Sequence, residues 1–549
     1  MTASSLENPT IGRVPWSSVA YVIGPLLAWV IFAQLVVPPM IRLAHAGRGP
    51  AALRGVMSDR HSRPVEYYLN RWQRAQVPAV VGAGVLGLMW GVARTRRFAS
   101  VALAPASSQW LAAMRIGTCA VLLVTTLIDD LPGSAGLPVD MRVPMGVTDV
   151  LALLPGGADR VLSSYAALAA LKWATVAALL AGIAGVASRI VLPLAALGTL
   201  LAGGVLRHYS HLYHSELVTW YLLAVLAFTP CADAWSLDAW RRRRRFPDLR
   251  PPDRPDAYAW ARLLCWTVVG LAYFVCALSK FRNGGLNWSD PTNLRSVIYT
   301  DNLNPMSVHF GIGLAMARLP DVVFRFFGIS TLLLELAFIA VPFSVLARRW
   351  LPAGALLMHV GVFVVQNVLF LDLILLPIVL YWAESRAPGG APAGVRLRER
   401  PPAPRRALPW AALVALVTTV WLYRIEFYPL TSMQMYSGLL DDGTAAYFRV
   451  VARHADQTES DAPLNDAFPV LSRLTGRYRY ALQSAFQPPR ARRCDAYLRA
   501  VAEELNATCE PARRIESFEV QRLRWHFRRD DDPARAQIEA RRQVVVKQK

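Results

Sequence analysis

About eleven blocks of apolar residues follow one another between Trp16 and Leu422, most of them long enough to cross a lipid bilayer. They run over residues 16–37, 77–92, 111–128, 161–187, 190–206, 215–228, 257–279, 322–346, 351–365, 368–382 and 408–422. A backbone in hydrocarbon must satisfy its own polar groups, so blocks of this length are read as helices. The expected fold is therefore a polytopic, all-α transmembrane bundle of about eleven spans. Composition agrees: 54% of residues are hydrophobic and 18% charged, with mean hydropathy +0.30.

The net charge of +21 has two explanations, nucleic-acid binding and membrane topology. Location decides between them. Arginines concentrate between the apolar blocks, at 94–97, 241–245, 348–349 and 396–406, where a cytoplasmic bias places them. Nucleic acid is excluded as the expected partner, and the expected location is the cell membrane. Alternating spans from these anchors put 208–216, 281–320 and everything after residue 423 outside the cytoplasm. The first apolar block is too long for a cleavable signal.

Four regions follow. Residues 1–107 hold two N-terminal spans and a basic loop, and 108–385 form the main membrane domain. Residues 386–424 are a Pro- and Arg-rich linker with the last span. Residues 425–549 lose the membrane pattern and form a small extracytoplasmic α+β domain, with strands near 445–452 and 517–527 and a helix near 495–505. Cys494 and Cys509 flank that helix; in an oxidising compartment they either bridge or remain thiols. No CxxC pair is present, so a thiolate metal site is not expected.

Ionisable residues within apolar blocks are the site candidates, because charge at membrane depth is expensive. They are Arg115, Lys172, Glu335, His359 and Asp372, with His214 and Lys280 at outer ends. Glu335 is expected to pair with Arg115 or Lys172. His359 and Asn367 are eight apart and share a helical face if the helix continues. His208, His211 and His214 recur at threes, but no carboxylate other than Glu216 stands near them to complete a metal set. They are expected to line an outer pocket or an interfacial belt.

Residues 108–382 resemble the horizontally transferred transmembrane (HTTM) family, which includes the vitamin K-dependent gamma-glutamyl carboxylases. The resemblance rests on Met114-Arg115-Ile116, on His214-Ser215 followed by Tyr221-Leu222-Leu223-Ala224, on Ala272-Tyr273-Phe274 through Lys280 to Trp288, and on His359 with Gln366-Asn367-Val368-Leu369-Phe370. It implies a base at Lys280 acting on a reduced menaquinone or vitamin K-type quinol, with His214 and His359 as catalytic partners. His211, Tyr273, Trp288 and Asn367 become the cofactor-side residues. Ser279 stands where the carboxylases carry the first of two adjacent lysines. Two readings follow: a quinol-dependent membrane enzyme of carboxylase or epoxidase type, or a non-enzymatic module that binds lipid and engages a protein partner through its C-terminal domain.

Overall fold

The computed structural model describes residues 36–46, 48, 65–66, 68–69, 72, 102–103, 105–142, 146–148, 157–209, 214–248, 254–304, 310–386, 404–440, 442–467, 477–487 and 490–546. The chain divides into two compact units, residues 105–388 with 424–549, and residues 1–104 with 389–423.

The first of these units is a helical bundle joined to a strand-rich C-terminal domain. Its main helices are α1 (Ser108–Ile128), α2 (Tyr165–Ala184), α3 (Ser188–Arg207), α4 (Leu217–Ala227), α5 (Leu237–Arg245), α6 (Pro255–Gly284), α7 (Pro291–Leu303), α8 (Asp321–Ala337), α9 (Val345–Gln366) and α10 (Leu371–Glu384). Local sequence sets their starts. Serines 107, 164, 236 and 344 cap α1, α2, α5 and α9 by accepting from a backbone amide three residues on. Proline opens α6 and α7, where its missing amide is no loss. Gly185, at φ 69°, ends α2. A side chain there would strike Arg115 and Ser236.

Six helices among the described residues are long and apolar enough to cross a membrane: α1, α2, α3, α6, the stretch Asp321–Ala340 that begins with α8, and α9. The described residues therefore show six of the about eleven expected spans. The two N-terminal blocks, 16–37 and 77–92, lie almost wholly outside the described residues. Helix α4 has 11 residues and α10 has 14, about 16 and 21 Å at 1.5 Å per residue, against a hydrocarbon core of ~30 Å. Helix Pro404–Leu422, in the second unit, falls short through the proline and arginines of its first turns. Helix α6 is the centre of the bundle. Its apolar window is 83% buried, against 17% for α9, whose sides face outward.

One end of the bundle is tied by Glu384. It accepts from Arg262 at 2.7 Å and from the indoles of Trp110 and Trp266 at 2.9 Å each, joining α1, α6 and α10.

The C-terminal domain is a four-stranded antiparallel sheet of β1 (Thr444–His454), β2 (Glu459–Asp461), β3 (Ile515–His526) and β4 (Gln537–Val545), in order β2-β1-β3-β4. Helix α11 (Ala491–Asn506) packs across it. Strands β1 and β3 and helix α11 match the sequence expectation. The outer strand β4 carries Arg541 and Arg542 and alternates too weakly to be read beforehand. Cys494 and Cys509 are free thiols, not a bridge.

The domain is fastened to the bundle at two places. Arg493 donates from Nε to Met141 O at 2.7 Å and from Nη2 to His208 O at 3.2 Å. On the other side, Trp525 meets Tyr299 of α7 edge-on at 4.7 Å.

Glu384→Ala leaves a buried guanidinium and two indole donors unanswered, so the purified protein should lose about 3–5 kcal/mol of stability, read by thermal unfolding in detergent. In the C-terminal domain, burial pushes the Cys494 thiol up to about 12. A maleimide at pH 8 should therefore label Cys509 and leave Cys494 untouched until the fold opens.

Candidate functional site at the end of the central helix

Tyr273, Cys276 and Lys280 fall on one face of α6 by their spacing of three and four. Lys280 is 4% exposed, and so is Glu335 of α8. The lysine Nζ donates to both carboxylate oxygens of Glu335, at 2.6 and 2.8 Å. Its ammonium also stands 5.1 Å from the centre of the Trp288 ring, close enough for a cation–π contact. The expected partner of Glu335 was wrong. Arg115 is spent on the carbonyls of Gly182, Ile183 and Trp235, and Lys172 on those of Leu127 and Asp129. Each closes a helix end, which answers its charge without a carboxylate.

Behind Lys280 lies a second pair. The hydroxyl of Tyr273 and Nε2 of His359 are 2.9 Å apart, and Tyr273 stacks on Phe338 at 4.1 Å. Nδ1 of His359 is buried and has no hydrogen-bond partner among the described residues. Asn367 belongs elsewhere. Helix α9 ends at Gln366, and Asn367 turns left-handed at φ 60°, so it does not continue the face of His359. Its amide bonds Asn302 at 2.8 Å and its carbonyl accepts from Phe310 N at 3.0 Å.

Residues 426–440, between Pro404–Leu422 and β1, form a strap over the Lys280 end of α6. The Trp288 indole donates to Tyr436 O at 2.7 Å, Ser279 reaches Ser432 O at 3.4 Å, and Asn283 donates to Ser437 at 2.8 Å. Met433 and Tyr436 are left-handed in this strap, at φ 51° and 48°. Backbone held in that region by non-glycine residues is maintained by its surroundings.

The strap also orients His214. Glu426 accepts from Thr431 Oγ1 at 2.8 Å, and from the amide and hydroxyl of Ser432 at 3.1 and 2.5 Å. A carboxylate has no proton to offer, so the single hydroxyl proton of Thr431 goes to Glu426. Thr431 Oγ1 can then only accept from His214 Nδ1, 3.0 Å away. The proton of the neutral ring therefore sits on Nδ1, and Nε2 carries the lone pair. Burial first, then the cations of Arg207 and Lys280, hold the His214 pKa down at about 4.

Of the residues predicted for the site, the structure brings together Lys280 and Trp288, places the Tyr273–His359 pair on the same helix face behind them, and ties His214 to the strap that covers them. Asn367 serves a turn. His211 lies outside the described residues. Sequence reasoning missed Glu426 and Thr431, which follow the last apolar block and carry no motif. No group of His, Cys, Asp or Glu suited to a metal ion occurs among the described residues. Comparison of the chain with known protein families, characterised proteins and solved structures finds no match.

A histidine whose folded pKa lies below its unfolded 6.5 binds fewer protons when folded, so stability is lost as pH falls from about 6.5 towards 4. The His214→Phe protein should show a shallower loss over that window in detergent unfolding, and ring NMR should find His214 neutral at pH 6.

Proposed function

We propose that the chain is an integral membrane enzyme of the HTTM type, acting on a reduced, quinol-like lipid with Lys280 as its base. The observation that supports this most is the buried bidentate pair of Lys280 with Glu335. Two charges removed from water gain little net stability over apolar packing, so their retention is better explained by use. The surroundings fit a flat aromatic lipid. Trp288, Tyr273, Phe338 and Phe370 supply rings around the pair, and the unanswered Nδ1 of His359 can bond a ring oxygen. The resemblance of residues 108–382 to the family points the same way.

A bound quinol supplies an acidic ring hydroxyl and a reducing aromatic system. The protein's part is to move a proton and keep water out. A base must be neutral, and Glu335 is the group placed to take the proton from Lys280 Nζ. The pair then interconverts between ammonium–carboxylate and amine–carboxylic acid. The free amine accepts the proton of a hydroxyl brought against it. His214, whose tautomer the strap fixes, stands at the same end of α6. The strap shields the site from solvent.

A second reading keeps the bundle as a lipid-binding scaffold and gives function to the C-terminal domain, whose outer strand β4 is largely exposed along one edge. In that case Lys280 and Glu335 are a bolt between α6 and α8. Turnover separates the two. Purified protein given reduced menaquinone should lose about a hundredfold or more of its turnover with Lys280→Ala, the size expected for a general base. Glu335→Gln should lose a comparable share with the fold intact. Equal turnover in Lys280→Ala and parent sinks the enzymatic assignment, and recovery of a partner on residues 428–549 without quinol chemistry favours the second reading.

A further inference from the structure

The opposite end of the bundle holds a second feature that the Lys280 chemistry does not use. A cleft of about 290 Å³ opens between the first turn of α3, the loop after α4 and helix α5. Ser188, Arg189, Asp233, Asp238, Arg242 and Arg254 are among its walls. Arg254 adjoins the start of α6. Lys280 is 25 residues further along that helix, about 38 Å away at 1.5 Å per residue, so the two sites are separate.

The chemistry of the walls favours an anion. Asp238 is already committed, accepting from the amides of Ala187 at 2.9 Å and Ser188 at 3.1 Å. Asp233 accepts from Tyr258 at 2.8 Å. The guanidiniums of Arg242 and Arg254 stand 3.8 and 4.0 Å from Asp233, beyond hydrogen-bond distance. Arg189 is exposed and makes no hydrogen bond among the described residues. Three guanidiniums thus surround the cleft: Arg242 and Arg254 share one carboxylate, Asp233, in long ion pairs without a hydrogen bond, and Arg189 has no ion pair among the described residues. The hydroxyl of Ser188, on a residue 5% exposed, is buried without a partner. Four more arginines, Arg241 and Arg243 to Arg245, extend the positive field along α5.

The surroundings favour a lipid as the source of that anion. Ile190, next to Arg189, is 65% exposed, and α5 presents Leu237 and Trp240 among its arginines. Arg244 covers the Trp240 ring at 4.2 Å. A basic helix with aromatic and aliphatic residues at the end of a membrane bundle suits the boundary of headgroup and acyl chain.

We propose that this cleft binds the phosphate headgroup of an anionic phospholipid, with Arg189, Arg242 and Arg254 around the phosphate, Ser188 as a further donor, and the acyl chains against Ile190. The full-length protein in detergent is titrated with phosphatidylglycerol, phosphatidylcholine and inorganic phosphate, and bound lipid is counted by native mass spectrometry. Phosphatidylglycerol should bind at least about tenfold tighter than phosphatidylcholine. Removing a juxtamembrane arginine should weaken it about fivefold, so R189Q/R242Q/R254Q should lose on the order of a hundredfold with phosphatidylcholine binding unchanged. If the triple variant does not fold, R189Q alone carries the test, because that side chain is exposed and makes no hydrogen bond or ion pair among the described residues. Equal binding of the two lipids, or parental affinity in R189Q, overturns the proposal. Competition by inorganic phosphate as strong as by phosphatidylglycerol also overturns it, in favour of a soluble-anion site. None of these readouts depends on Lys280.

Discussion

A charge that is folded into this bundle must be answered where it lies, because neither lipid nor apolar side chains can answer it. That constraint shapes the interior more than any single packing contact. Lys280 is answered by Glu335, Arg262 by Glu384, Arg115 by two helix-end carbonyls and the loop carbonyl of Trp235, and Lys172 by two helix-end carbonyls. Arg207 bonds the carbonyls of Gly203 and Ser215 and covers the Tyr428 ring at 4.7 Å. These solutions are not equivalent. Carbonyl capping consumes a cation in holding up helix ends and leaves it with nothing to do. The pairing of Lys280 with a carboxylate leaves a proton shared by two groups whose affinities the surroundings can tilt.

The membrane helices were legible because length and hydropathy alone define them. Their number was harder to read, because an apolar run of 14 residues and one of 20 look alike when boundaries are uncertain. The polar residues inside the spans stand out in the sequence, but the expected pairing of Glu335 does not hold. Arg115 and Lys172 lie two turns inside α1 and α2, and each reaches carbonyls at the end of a neighbouring helix, which no spacing in the sequence reveals. Glu335 then needed a partner from another helix, and only the relative height of α6 and α8 decides that it is Lys280. The spacing of His359 and Asn367 misled for a local reason: the helix stops at Gln366, one residue before periodicity would have carried Asn367 onto the same face. In the C-terminal domain, β1 and β3 showed clear alternation because one face of each is buried. The exposed edge strand β4 had no such reason to alternate.

The two ends of α6 differ in what they do with their charges. Near Arg254, two of the three guanidiniums around an open cleft share the single carboxylate of Asp233, with arginines continuing along α5. Near Lys280, charges are few, buried and matched, and a strap lies over them. An exposed field in which arginines outnumber carboxylates is suited to holding a membrane anion at the surface. A matched and covered pair is suited to chemistry that water would quench.

The strap makes the Lys280 end depend on the C-terminal domain. Residues 426–440 reach Trp288, Ser279, Asn283 and His214, and they run directly into β1 of the sheet. The sheet in turn is held by Arg493 on one side and by Tyr299 with Trp525 on the other. Met433-Gln434-Met435-Tyr436 is the part of the strap that packs on the bundle. Met433 is buried, and the carbonyl of Tyr436 is the acceptor for Trp288. The decisive detail lies deeper than docking. Glu426 claims the proton of Thr431, Thr431 must therefore accept from His214, and the imidazole presents its lone pair from Nε2. A carboxylate delivered by the strap thus fixes the protonation geometry of a histidine on the bundle, so the site is complete only when the domain is seated.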